Sequence, residues 1–305
     1  MTYSIVARDA ATGELGFGSQ SHFYGVGRLV GWGEAGVGVT CTQAFVNVGY
    51  GPGAIAAMRE GGDPADIVKA LTGADEHSAY RQLAVLDASG RVASHTGSSC
   101  APSAAGLVGD GVAVQGNMLG SPDVVPDMLA AYEAAAGQPL AYRILAAMTA
   151  AERAGGDVRG SQSAVLRTFT GERSDTPWAQ VQIDIRVDDH EDPIGELTRL
   201  LPRQRAFDLI GGVIFAPNLT IGAYEGVDPG ELQEKVEGLA KASELLGEQN
   251  READFWRALL LARSGDKATA KPLFVALFEA RPALRGFLAG IGPLGFLDNV
   301  TEYTQ

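Results

Sequence analysis

A chain of 305 residues, 46% hydrophobic and 20% charged, has a globular rather than a disordered composition and is long enough for one large domain with an appendage or for two ordinary domains. Its formal net charge of −13 repels nucleic acid and anionic membrane surfaces, so neither is an expected partner. No apolar run reaches the about 18 residues that span a bilayer, and the opening MTYSIVARD lacks the basic and apolar segments of a secretory signal. A cytoplasmic location is expected.

Residues 3–8 alternate and are β-prone, and the turn DAATGE leads into a second strand at 15–21, which makes a hairpin. The stretch GWGEAG reads as a turn before a third strand at 37–43. Helical patterns follow at 52–60 and 64–71, each with a proline near its first turn. Strands return at 81–87 and 91–96 around the turn ASG, and again at 111–118. Two helices, 123–136 and 140–154, end at the Gly155–Gly156 pair. Strands at 162–170 and 179–186 precede a helix at 193–201.

Clusters of strands alternating with helix pairs predict an α+β chain with two stacked sheets and helices outside each, a four-layer α/β/β/α sandwich. Single βαβ alternation is absent, as is a glycine-rich phosphate loop, so no cofactor is expected. The 40 glycines are concentrated before position 120, often in strand-like stretches where another backbone must come close. Residues 200–226 read as a connector. Beyond it, 231–246 carries a one-sided apolar stripe, and 251–263 and 267–280 form a helix pair. Ala270, Phe274 and Pro282 have the spacing of a tetratricopeptide repeat. The expected domains are 1–215 and an all-α helical-hairpin tail at 227–305. A lone hairpin buries its own face poorly, so the tail is expected to dock on the main domain or on another subunit.

Thr2, at the start of the first strand, is the distinctive chemical feature. Removal of Met1 would let the Thr2 α-amine take the proton from its own hydroxyl, so that one residue supplies nucleophile and base. A β-branched residue that merely opens a strand is the plainer alternative. Ser21 and His22 end the second strand near Thr42 and Gln43, which end the third. His95 with Thr96, and Gln115 with Asn117, close two later strands. A pocket lined by these residues would offer imidazoles and oxyanion donors, Asn117 foremost. Satisfied backbone groups at sheet ends are the other reading. Arg159 could bind a substrate carboxylate or pair with Asp157. Asp188, Asp189 and His190 read as a turn and helix cap rather than a metal trio, because neighbours on a strand face opposite ways. Cys41 and Cys100 match no metal spacing and read as buried thiols, and His77 reads as a solvated loop residue. No metal site is expected.

The segments TYSIVARD, GELGFGSQSHF, GVGVTCTQAFVNVGYGP, SHTGSSC, VQGNML, GGDVRGSQSAVL and IRVDDHEDPIGEL resemble, in order, a bacterial family catalogued as domain of unknown function 1028 and grouped with the N-terminal-nucleophile hydrolases. The resemblance runs from residue 1 to about 201. It implies the four-layer sandwich and a hydroxyl nucleophile at Thr2, and, by analogy with sandwiches of this class, a homo-oligomer. It supplies no specific reaction. The chain is also similar, more distantly, to proteasome β-type subunits, where an Asp-Ser-Arg triplet ends the second strand and a lysine begins the third. Here Gln20-Ser21-His22 stands in the triplet's place and the first lysine is Lys69. Arg28 is a positive substitute that cannot shuttle a proton.

The leading expectation is an amide-bond hydrolase acting on a small-molecule or peptide-like substrate. Thr2 attacks, Ser21, His22 or Asn117 steadies the oxyanion, and Thr42, Gln43, His95, Gln115 and Arg159 bind substrate. A catalytically silent sandwich that binds a small ligand or protein partner, with the helical tail as interaction module, is the alternative. An internal hydrolase using Ser21 with His95 as base ranks third.

Overall fold

The structure, a computed structural model, describes residues 2–224 and 227–305. It divides into one unit ending at Leu200 and a second of Leu201–Gln305. In chain order the first unit begins with β1 (Thr2–Arg8), β2 (Leu15–Ser21), β3 (Gly31–Glu34), β4 (Gly38–Ala44), α1 (Tyr50–Arg59), α2 (Pro64–Gly73), β5 (Arg81–Asp87) and β6 (Val92–Thr96). It continues with β7 (Ala105–Gly109), β8 (Val112–Asn117), α3 (Val124–Ala134), α4 (Leu140–Arg153), β9 (Ser163–Phe169), β10 (Val181–Val187) and the start of α5 (Pro193–Ile214).

These strands form two antiparallel sheets in a mixed α/β arrangement. The six-stranded sheet has the order β10-β9-β2-β1-β8-β7 and the four-stranded sheet the order β3-β4-β5-β6. Side-chain alternation sets the two faces of each strand. On β5, Ala84 and Leu86 join a core with Val6, Phe17, Val39 and Val165. Leu83 and Val85 face the other way, into a cluster with Tyr50, Ala54, Met58 and Ile67 of α1 and α2. On β1, Tyr3 turns from the inter-sheet core to α4, where its hydroxyl donates to Glu152 Oε1 at 2.6 Å.

Two glycines show how closely the elements approach. A Cβ on Gly18 of β2 would lie 2.5 Å from Met148 Sδ of α4, and one on Gly31 of β3 would lie 1.9 Å from the Phe17 ring. Larger residues at either position would push the layers apart.

Several sequence expectations change. GWGE is the strand β3 rather than part of a turn, and β7 is a second unforeseen strand; both are short and glycine-containing, so neither carries a clear alternation. The helix expected to stop at 201 runs to Ile214. Pro202 removes one backbone donor, but Ala206, Ile210 and Val213 keep helical spacing and, like Leu201, are buried. The expected connector is therefore mostly helix, followed by the short α6 (Pro217–Thr220).

The second unit continues with α7 (Pro229–Leu246), α8 (Glu252–Arg263), α9 (Lys267–Ala280), α10 (Ala283–Ile291) and α11 (Thr301–Thr304). It is more than a hairpin. Ala206, Leu239, Phe255, Leu259, Phe274 and Leu288 belong to one buried cluster drawn from α5 and α7–α10. Arg263 ties loops to this core by donating to the carbonyls of Leu219 at 2.7 Å, Gly222 at 3.0 Å and Phe296 at 2.8 Å. Among the described residues, no helix is long and apolar enough to cross a membrane.

Candidate active site

Strand register brings the start of β1 between the ends of two neighbours. Thr2 lies opposite Ser21 on β2 and opposite Asn117 on β8. The Thr2 hydroxyl donates to Ser21 Oγ at 3.0 Å. The Thr2 carbonyl accepts from Gln43 Nε2 at 2.9 Å and from Asn117 Nδ2 at 3.3 Å. Gln43 belongs to the other sheet, so this end of β1 is fastened across the interior as well as along the sheet.

Gln82 of β5 is the hub beneath it. Its Oε1 accepts from Gln43 Nε2 and from Asn117 Nδ2, both at 2.9 Å, while its Nε2 donates to Gly116 O at 2.8 Å. Deeper in, Ser4 donates to Gln43 Oε1 at 2.7 Å and Gln115 donates to Cys41 O at 3.1 Å. Ser4, Gln43, Gln82, Gln115 and Asn117 are all buried. Each hydrogen bond between buried amides contributes about 1 kcal/mol, but leaving one amide unpaired costs about 1–3 kcal/mol, so the set specifies one register. Residue type and position alone do not single out Gln82, although the alternation of β5 puts it on the same face as Ala84 and Leu86.

Thr2 and Ser21 open onto a cavity of about 200 Å³, to which Gln43 and Arg159 also contribute. Its remaining wall is apolar: Phe23, Val26, Leu29, Val30, Ala44 and Val46. Ala44 has a φ of 70°, and Met118, next to Asn117, has a φ of 51°. Such left-handed backbone at a residue with a side chain is costly and collects at functional sites.

Among the described residues, Arg159 is the one charged member of this wall. Its Nε and Nη2 lie 3.2 Å from Asp157 Oδ1 and Oδ2. The Asp157 side chain is fully buried and also accepts from the backbone N–H of Arg159 at 2.8 Å and of His22 at 3.0 Å. This carboxylate links the end of β2 to the loop carrying Arg159, a role that sequence spacing alone does not reveal.

The other expected site residues lie elsewhere. Asn117 touches Thr2 from behind and is not a wall of the cavity, and Gln115 sits deeper in the amide network. His22 is likewise outside the wall, and its buried Nδ1 has no hydrogen-bond partner among the described residues. Thr42 turns to the carbonyl of Asn47 at 3.2 Å, and the His95 Nε2 lies 2.9 Å from the carbonyl of Ser78. His95 therefore does not stand beside Ser21 as a base. Arg28 ends a 3-10 turn, Val26–Arg28, and is not part of the wall. Burial pushes the Cys41 thiol up to about 12, so it is no competing nucleophile at neutral pH. Cys100 is only partly buried, contrary to expectation, and its Sγ lies 3.4 Å from Arg81 O. His190 Nδ1 accepts from Asp192 N, and Asp192 accepts from Gly195 N, a turn and cap at the start of α5. Among the described residues, no group of three or more His, Cys, Asp or Glu is arranged to hold a metal. Met1, whose removal the Thr2 chemistry requires, lies outside the described residues.

Comparison with known proteins bears on the same region. The model of a family described as a family of unknown function, DUF1028, matches residues 2–197. The chain belongs to this family. A crystal structure of a DUF1028 protein from Silicibacter pomeroyi is 32% identical in sequence, with a TM-score of 0.59, over 66% of this chain and 87% of that one. The DUF1028 match thus takes in every residue of the cavity wall and stops before the greater part of the helical unit. No curated protein matches the chain.

Proposed function

We propose that this DUF1028 protein is an amide-bond hydrolase of the N-terminal-nucleophile type, built on a four-layer α/β/β/α sandwich. Support for the layer order comes from α3 and α4 against the six-stranded sheet, β1 and β2 against β4, and α1 and α2 against β4 and β5. The reading of the chemistry rests on one observation above all. Thr2 opens an interior strand with its hydroxyl at a cavity and 3.0 Å from a second hydroxyl, Ser21.

With Met1 removed, the Thr2 α-amine accepts the Oγ1 proton as Oγ1 attacks the substrate carbonyl. The new C–O bond forms and the Ser21 hydroxyl steadies the oxyanion. The C–N bond then breaks, and the departing amine takes the proton back from the α-ammonium. Water, activated by the same amine, cleaves the ester left on Thr2. Gln43 and Asn117 act as positioning residues through the Thr2 carbonyl.

A β-lactone probe read by intact mass and peptide mapping tests this. The expected adduct is on Thr2 of a chain that begins at Thr2. It is absent in Thr2→Ala and forms about 100-fold more slowly in Ser21→Ala. An adduct on Ser21, or a chain that retains Met1, removes the mechanism.

A second reading, a catalytically silent ligand-binding sandwich with the helical unit as an interaction module, has one observation in its favour. The charged residue at the cavity is an arginine, which stays protonated and cannot relay a proton as a lysine can. Ligand binding without any acyl adduct would select that reading.

A further inference from the structure

We infer that the cavity at Thr2 selects substrates that combine a phenyl-sized apolar acyl group with a free carboxylate, that is, N-acylated amino acids, and that Arg159 holds the carboxylate. For the cleavage of the amide this rests on the hydrolase reading above; the binding does not. Three observations carry it.

The first is size and lining. The cavity of about 200 Å³ has six apolar residues in its wall. An apolar cavity of about 150 Å³ is enough to take up benzene, so this one admits a ring or a branched aliphatic group of similar bulk. Val26, Leu29 and Val30 come from the segment after β2, and Ala44 and Val46 from the end of β4, so the apolar wall is contributed from two sides.

The second is the charge. Arg159 stands at the wall of a chain whose net charge is −13. The protein as a whole repels anions, and Asp157 balances the charge of Arg159, so an anion is admitted here by the directed N–H donors of the guanidinium. Its side chain is 37% exposed and contributes to the cavity wall, while Asp157 is fully buried.

The third is the way Arg159 is held. Asp157 contacts Nε and Nη2, which fixes the plane of the guanidinium. The carboxylate of Asp157 also accepts two backbone N–H groups, those of His22 and Arg159. It is therefore well satisfied in its buried setting and serves to orient the arginine. An oriented guanidinium recognises a planar carboxylate better than a mobile ammonium does.

Isothermal calorimetry on the full chain with N-benzoylglycine and N-benzoylglycinamide tests the inference, with chromatography of the same mixtures to detect cleavage. N-benzoylglycine is expected to bind at least about tenfold more tightly than its amide. Arg159→Gln should abolish that preference, and Arg159→Lys should keep part of it. Circular dichroism checks that both variants fold; the comparison of the two ligands on the unaltered chain needs no variant. Equal affinities, no binding of either ligand, or a preference that survives in Arg159→Gln overturns the inference. Preferential binding without cleavage upholds it and counts only against the hydrolase reading. Cleavage of both compounds with equal affinity upholds hydrolysis and removes the carboxylate contact.

Discussion

At the scale of single residues, Ala44 is where backbone conformation and the cavity meet. Its φ of 70° costs a residue with a Cβ about 1–2 kcal/mol, and glycine would relieve this while losing about 0.4–1 kcal/mol to a more flexible unfolded chain. Ala44→Gly is therefore expected to raise stability by up to about 1 kcal/mol, read as a higher urea midpoint with unchanged slope. An unchanged or lower midpoint would mean that the residue bears no strain. Nothing in the sequence announces this, because alanine ordinarily avoids such a conformation. The polar residues were more legible. Thr2, Ser21 and Gln43 stand out as polar types at strand ends and Arg159 as a charged one in a loop, and all four meet at one cavity. Thr42, His95, Gln115 and Asn117 have the same types and similar positions. What separates the two sets is which face each strand turns inward and how the strands are paired, and that register comes from contacts made by residues more than a hundred positions apart, such as Thr2 with Asn117.

At the scale of elements, the rim segment between β4 and α1 depends on a single carboxylate. Asp75 accepts from Tyr50 OH at 2.8 Å, Arg81 Nε at 3.0 Å and Asn47 Nδ2 at 3.2 Å, and Arg81 also donates to the carbonyl of Phe45. Hydrogen bonds from the His77 N–H, from Arg81 and from Tyr50 hold the Asp75 carboxyl well below its ordinary value of 3.8. A depressed carboxyl adds stability that is fully present above the ordinary value and fades as pH falls below it toward the lower one. Asp75→Asn should thus lower the melting temperature at pH 7, and the gap between variant and parent should narrow below about pH 4. A gap that stays constant down to pH 3 would show that the charge of Asp75 is not what holds the rim. The role of Asp75 is not legible in the sequence, because its partners Asn47 and Tyr50 lie 28 and 25 positions away. The short strands β3 and β7 were illegible for a different reason: two glycines in each leave too few side chains for a period to show.

At the scale of the whole molecule, each of the two units has buried clusters of its own. The sequence suggested a boundary near 215, where apolar residues give way to charged helices, whereas contacts divide the chain within α5, at Leu200. In the helical unit Phe274 is fully buried and meets the rings of Phe255, Phe278 and Tyr303. Phe274→Ala should cost about 3–5 kcal/mol, with faster hydrogen exchange in α8 and α9; unaltered exchange in those helices would contradict the core assigned to them. The first unit is fastened differently at its Thr2 end, by carboxamide side chains bridging one sheet to the other. Carboxamides neither take up nor release protons across the range in which enzymes are usually assayed. The seam beneath Thr2 should hold equally well in mildly acid and mildly alkaline solution, so that, for the hydrolysis proposed above, a titration of turnover would report the attacking group and not a loosening of these carboxamide supports.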